Sequence, residues 1–346
     1  MFNGELLHCG VERIRLLFRF PEAPELMLVN CHYGAPHCHC ALSRHIQEDL
    51  EHIASLGAQI VSVCVQESQL TGWRQQRLHN FVNMAHAYGM NVHAVPNRWA
   101  GLVGGWLDGL SVFALENTDA LPRNRDGSVR VTGDGQCCAQ HPKTRSHIRQ
   151  HLELMFTKYE FDGVVWDEPH GTRVCYCEHC RRACGGEPTS EWQCGQMAAL
   201  LDEMSHLAKS LRPGTVVSLL AQPSDETLMK SLLQTKHIDY LGSAGHVRGE
   251  NGATRRINGA IFQAHAAFYP MLREAGRRTI FLMEGQKRRD EDLDDYLANV
   301  DKAFALPMEQ LMFYYSAHEM SPAKETLFNE ATWRAVARLK ADEGRI

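Results

Sequence analysis

Short, nearly continuous apolar runs recur along the chain, and each is followed by a stretch of helical periodicity. The runs are LMLVNCHY (27–34), QIVSVCVQE (59–67), NVHAVPNRW (91–99), FDGVVWDEP (161–169), TVVSLLAQP (215–223), IDYLGSAGH (238–246), RTIFLMEGQ (278–286) and MEQLMFYYS (308–316). They do not alternate apolar with polar, as strands with one wet face would. Parallel strands buried on both faces read this way. Between them, SRHIQEDLEHIASLGA, QQRLHNFVNMAHAYGM and TRSHIRQHLELMFTKYE place apolar residues every three or four positions, and the first two close on glycine. Eight strand–helix units predict an α/β fold, a (β/α)8 TIM barrel.

The pattern predicts one domain over residues 1–346, with a short amino-terminal extension (1–26) and one long irregular connection (100–140) after the third strand. The extension contains HCGVERIRLLFRF, which reads as a hairpin capping the barrel bottom. A structureless connection as long as 100–140 is usually functional, and in a barrel this one lies over the catalytic face. Its apolar part, with Trp99, Trp106 and Leu107, suits a lid or a contact between copies in a homo-oligomer.

Composition narrows the function. The 346 residues are 44% hydrophobic and 22% charged, enough for one large core. A net charge of -5 without a basic block argues against a nucleic-acid surface. Charges interrupt the amino terminus, so it does not read as a signal peptide, and no segment reaches the ~20 apolar residues of a membrane span. A cytoplasmic protein is expected. Its 12 cysteines then remain reduced, and the clustered ones ask for a metal.

Chemistry in such a barrel comes from the carboxyl ends of the strands. Those ends carry His32 and Tyr33; Gln66 and Glu67; Asn97, Arg98 and Trp99; Asp167, Glu168 and His170; Gln222; His246; Glu284 and Gln286; and Tyr314, Tyr315 and His318. A ring of hydrogen-bonding groups, carboxylates and aromatics suits a carbohydrate, whose hydroxyls want paired polar partners and whose C–H face wants an aromatic. Asn97, Arg98, Trp99, His170, Gln222, His246, Tyr314 and His32 are the expected sugar-binding residues. Glu168 and Glu284 each end an apolar strand, the fourth and the seventh, so their tips can face across the mouth. Two carboxyls ~5–5.5 Å apart make a retaining glycosidase, and ~6.5–9.5 Å an inverting one. Asp167 orients substrate, is itself the acid, or hydrogen-bonds inward.

Cys175, Cys177 and Cys180 form a C-x-C-x2-C knuckle that needs a fourth ligand. Cys137 or Cys138 can supply it, with Cys184 and His179 as competitors. Four thiolates make a closed structural zinc site, although iron–sulfur clusters use similar spacing. His37-Cys38-His39-Cys40 is a second cluster, but adjacent residues point in different directions. His32, His93, His170 and His246 are the ligand set for a competing reading, a metal-dependent hydrolase or isomerase. A barrel that binds carbohydrate without turnover is the other.

The order DEPHG (167–171) then CYCEHC (175–180) resembles the clan A glycoside hydrolases, most closely family 42 β-galactosidases, in which the acid/base segment N-E-x-G precedes a C-x-C-x2-C cluster. The segment CAQHPKTR (138–145) resembles the family's C-P-N-S-P-x-x-R, which carries its fourth zinc cysteine. The resemblance implies Glu168 as acid/base, Glu284 as nucleophile, and Cys138 rather than Cys137 as the fourth ligand. It covers residues ~138–180, Glu284 and the overall barrel. Asp167 stands where the clan has Asn, and the chain carries the barrel alone, which implies a divergent relative.

Overall fold

A computed structural model describes residues 27–33, 43–104, 111–133, 135–222, 226–244, 268–283, 308–315 and 336. Eight strands, β1 (Leu28–Tyr33), β2 (Ile60–Gln66), β3 (Asn91–Asn97), β4 (Gly163–Asp167), β5 (Val216–Ala221), β6 (Tyr240–Ala244), β7 (Arg278–Met283) and β8 (Gln310–Tyr315), pair in sequence order and close into a barrel. Every pairing is parallel, including β8 back onto β1. The expected (β/α)8 fold is what the chain adopts.

The continuous apolar runs divide by alternation into two cores. One set of positions (Cys64, Val95, Val165, Leu220, Ile280, Leu282, Met312 and Tyr314) packs together inside the barrel. The other set, among them Val63, Val65, Val92, Ala94, Val164, Trp166, Leu219 and Phe313, packs outward against the helices. Both faces of each strand are therefore dry, which is why polar alternation is missing from the sequence. Lower in the barrel the interior is polar and buried: Ser62 Oγ donates to Asn30 Oδ1 at 2.8 Å, and His93 is 1% exposed beside Gly163.

Helices among the described residues include α1 (Ser43–Ser55), α2 (Gln75–Ala87), α3 (Val112–Glu116), α4 (Pro142–Lys158), α5 (Glu178–Cys184), α6 (Ser190–Leu211) and α7 (Glu226–Leu232). The three helices predicted from periodicity are α1, α2 and α4. Pro142 begins α4, where its missing N–H costs nothing. Trp166, on the outer face of β4, donates from Nε1 to Ser205 Oγ of α6 at 3.0 Å and fixes that helix against the strand.

The connection after β3 differs from expectation. It is not structureless: a 3-10 turn (Trp99–Gly101), α3, a second 3-10 turn (Thr118–Ala120) and a bridge between Arg123 and Val129 occupy it. Its apolar residues order it, because Ala100, Leu102, Val103, Ala114 and Ala120 are buried against the main core. The segments 1–26, with its expected hairpin, and 37–40, with its His-Cys cluster, lie outside the described residues, as do Trp106 and Leu107.

Candidate active site

The tip of β4 is the best-defined part of the mouth. Alternation sends Val165 inward, Trp166 outward and Asp167 inward again, and Asp167 is 3% exposed. Glu168 follows with φ +37°, and its backbone N–H continues the ladder to Leu220 O at 2.8 Å. Arg98 (φ +56°) and Ala100 (φ +48°) are the other non-glycine residues with positive φ among those described. All three sit just beyond the ends of neighbouring strands β3 and β4. Backbone held this way costs of order 1–3 kcal/mol per residue and persists where surrounding contacts over-determine it.

Those contacts are present. Loop 98–104 is stapled to β4 by Gly104 N–H to Asp167 O at 2.7 Å and by His170 N–H to Leu102 O at 2.7 Å, one bond on each side of Glu168. Arg98 N–H closes the loop on Gly104 O at 3.1 Å. A Cβ at Gly104 would stand 3.0 Å from the Cβ of Glu168 and 3.2 Å from Asp167 O, so any larger residue would press on the tip of β4. On the far side, Gln222 Nε2 donates to Glu168 Oε2 at 3.3 Å. Glu168, Asp167, His170 and Gln222 are thus one constellation.

The other expected residues divide. His32 and Tyr314 are buried neighbours, ring centroids 4.7 Å apart, with His32 Nε2 3.8 Å from Cys64 Sγ. Asn97 pairs in register with Gln66 at the ends of β3 and β2. Trp99 is a correction: it is 1% exposed and belongs to the outer core, where its Nε1 donates to Val65 O at 2.8 Å and its ring meets His151 edge-on. The left-handed turn at Arg98 ends β3 two residues earlier than the apolar run predicted and swings the indole behind the barrel. Glu284 and His246 lie outside the described residues; by chain position Glu284 directly follows Met283, the last residue of β7.

Glu67 is better integrated than its sequence context shows. Burial pushes its carboxyl up, but hydrogen bonding and charge from His147, with the Ala100 N–H, outweigh this and hold it below the usual value. His147 Nε2 lies 2.7 Å from Glu67 Oε1, Ala100 N 2.9 Å from it, and Ser111 Oγ 3.2 Å from it. His147, Ser111 and Phe113 were not singled out from the sequence. The one legible signal was His147 and His151 four apart on a single helix.

Four sulfurs converge where the β3–β4 connection meets the loop after β4. The Sγ atoms of Cys138, Cys175, Cys177 and Cys180 all lie within 4.8 Å of one another, and among the described residues this is the one group of its kind. Cys138 stands 3.6 Å from Cys177 and 3.4 Å from Cys180, far beyond a disulfide bond. A tetrahedral metal with bonds of about 2.3 Å has sulfurs about 3.8 Å apart, so the residues fit a metal ion. Cys138 takes the fourth place. The Cys137 sulfur points to Gly135 O at 4.0 Å, and burial pushes its thiol up to about 12. Cys184 lies apart, against Glu187 O. The Cys138 sulfur beside it holds the Cys177 thiol below its usual value. Arg123 N–H donates to Cys175 Sγ at 3.4 Å, and the buried Arg130 guanidinium, bonded to Val174 O and Arg173 O, sets a positive charge near the thiols. Among the described residues, His32, His93 and His170 form no metal-holding group; His93 is buried below the mouth, and burial pushes its imidazole down to about 4.

No family model matches the sequence, and comparison with curated protein sequences finds no match. Solved structures are similar in fold. The β-galactosidase from the psychrophilic Marinomonas ef1 is similar at a TM-score of 0.63 and 14% identity, over 89% of this chain and 59% of that one. The endo-1,4-β-mannanase from Rhizomucor miehei is similar at 0.57 and 12%, over 88% and 94%. The α-L-fucosidase isoenzyme 2 from Paenibacillus thiaminolyticus is similar at 0.59 and 14%, over 92% and 50%. The chain spans half to three-fifths of the length of the fucosidase and the β-galactosidase. The barrel fold is shared with these structures; at these identities the likeness is one of fold alone, and family 42 is not singled out. No helix among the described residues is long and apolar enough to cross a membrane.

Proposed function

We infer that the protein is a glycoside hydrolase using two carboxylates. The observation that carries this reading is Glu168, held at the tip of β4 in a left-handed conformation between two backbone staples, with Gln222 on its carboxylate. A general acid must stay fixed against the bond it protonates, and Asp167 stands beside it as a second carboxyl. Glu168 protonates the glycosidic oxygen and then activates water. Glu284, one residue beyond β7, attacks the anomeric carbon. Asn97, Arg98, His170, Gln222, His246, Tyr314 and His32 shape the sugar site.

The four cysteines hold zinc in this reading. Four protein donors leave no open position, so the ion ties the β3–β4 connection to the loop after Glu168 and takes no part in bond cleavage.

The test uses nitrophenyl glycosides. Glu284→Ala should abolish turnover. Glu168→Ala should retain the first step with a good leaving group and regain turnover on adding azide, which needs no general base. Near-normal activity in Glu284→Ala removes that residue from the mechanism, and sugar binding without any turnover by the native chain favours a binding barrel.

A further inference from the structure

Arg130 is the one buried arginine or lysine among the described residues, at 7% exposed. Burial takes a cation out of water, and the loss is offset only when an opposite charge or a full set of hydrogen bonds goes in with it. Among the described residues Arg130 has no carboxylate partner. Its Nη1 and Nη2 donate to Val174 O at 2.7 Å and Arg173 O at 3.1 Å, and its Nε is buried without a partner.

The groups of opposite sign that act on this guanidinium are the thiols Cys175, Cys138 and Cys180. Those three cysteines are 1%, 2% and 0% exposed. Four thiolates around a divalent ion leave two negative charges in excess, and in dry protein such an excess needs a counter-charge. Other arginines near the knuckle stand in solvent. Arg173 and Arg181 are exposed, and Arg125 and Arg182 pair there with Glu187 and Glu178. Water and salt screen those charges far more than a buried one.

Anchoring alone does not explain a buried cation here. Arg130 N–H donates to Pro122 O at 2.8 Å, Arg123 N–H to Cys175 Sγ at 3.4 Å, and Tyr176 N–H to Arg123 O at 3.0 Å. Residues 122–130 thus grip the chain at Cys175 and just beyond it. From α6, Gln193 Oε1 accepts from Cys175 N–H at 3.2 Å while its Nε2 donates to Gly171 O at 2.9 Å. Gln193 is 1% exposed and neutral, so an amide suffices to hold this strap. Arg130 adds two more bonds to the strap, and with them a charge that holding it does not require.

We propose that Arg130 is the counter-cation of the four-cysteine metal site, placed to offset the excess negative charge of a divalent ion held by four thiolates. This role rests on the four-thiolate reading of the cysteines and is independent of glycoside cleavage. The test loads the metal-free full chain with Co2+, whose visible absorption reports thiolate ligation, and then measures zinc affinity by competition with a chelator. Arg130→Gln and the neutral, similarly long Arg130→Met both remove the charge, so either one that folds gives the comparison. Arg130→Lys keeps the charge and loses the planar fork on two carbonyls. Zinc affinity should fall by about 10- to 100-fold in the neutral variants, as when an outer-shell partner of a metal site is lost, and stay close to native in Arg130→Lys. The neutral variants should also lower the unfolding midpoint of the zinc-loaded chain more than that of the metal-free chain. Native zinc affinity in a neutral variant overturns the proposal and leaves the four-thiolate site standing. An equal loss in Arg130→Lys also overturns it, because the effect then belongs to the carbonyl bonds. A native chain that shows no cobalt–thiolate absorption removes the four-thiolate site itself, and the counter-cation with it.

Discussion

Replacing Glu67 by Ala removes one carboxylate and orphans three donors together. The side chain is 14% exposed and accepts from Ala100 N at 2.9 Å, Ser111 Oγ at 3.2 Å and His147 Nε2 at 2.7 Å. Hydrogen bonds to a charged group contribute about 1.5–3 kcal/mol each, and truncating one partner of a buried pair costs about 3–5 kcal/mol. The Ser111 hydroxyl can rotate to other acceptors, so the Ala100 and His147 bonds dominate, and the expected loss is about 4 kcal/mol. Glu67→Gln keeps the shape and one acceptor oxygen and should lose about half as much. Urea unfolding followed by tryptophan fluorescence reads this as a lower midpoint at unchanged slope. A double-mutant cycle with His147→Ala isolates the pair, and a coupling of about 1.5–3 kcal/mol is expected. A coupling below about 0.5 kcal/mol would rank the contact with surface ion pairs and refute the view that Glu67 braces the turn after β3. The pH dependence has a definite sign. Because the folded carboxyl is held below its ordinary value, its stabilisation is present above the unfolded pKa and is lost as pH falls through the folded one. The gap between native chain and Glu67→Gln should therefore close on acidification.

Three further outcomes are expected. Gly104→Ala puts a methyl 3.0 Å from the Glu168 Cβ and 3.2 Å from Asp167 O, so kcat on an aryl glycoside should fall about tenfold or more with little loss of stability; native kcat would show that Glu168 needs no such positioning. Cys177→Ser should lower bound zinc and stability together, by about 4 kcal/mol if the metal closes the 37-residue span from Cys138 to Cys175, and full zinc content in the variant would exclude the four-thiolate site. His93, pushed down to about 4 by burial against the opposing charges of Asp162 and Asp239, is stabilising when neutral; that contribution, about 3 kcal/mol, is present above the usual histidine pKa and lost as pH falls toward 4. His93→Gln should flatten the stability profile across that window, and an unchanged slope would count against the buried neutral imidazole.

The barrel was legible in the chain because both faces of a parallel strand are dry, a property that apolar runs record directly. The C-x-C-x2-C knuckle was legible too, since thiol spacing is local. Glu168 could be placed at a strand end by the abrupt stop of VVWDE, but its left-handed backbone and its staples to Leu102 and Gly104 could not, because they join segments more than sixty residues apart. Trp99 shows the limit in reverse. An apolar run continued through it, and one left-handed residue, Arg98, turned the indole from the expected mouth into the outer core. The choice of Cys138 over its neighbour Cys137 was one of direction, which adjacent side chains do not share. The cluster of Glu67, Ser111, Phe113 and His147 draws on one strand end and two helices. Sequence by itself determined which strand ends carry acids and which loop carries thiols. Tertiary packing alone decided which side chains meet, because position across a closed barrel depends on register and on single backbone reversals that composition and periodicity do not encode.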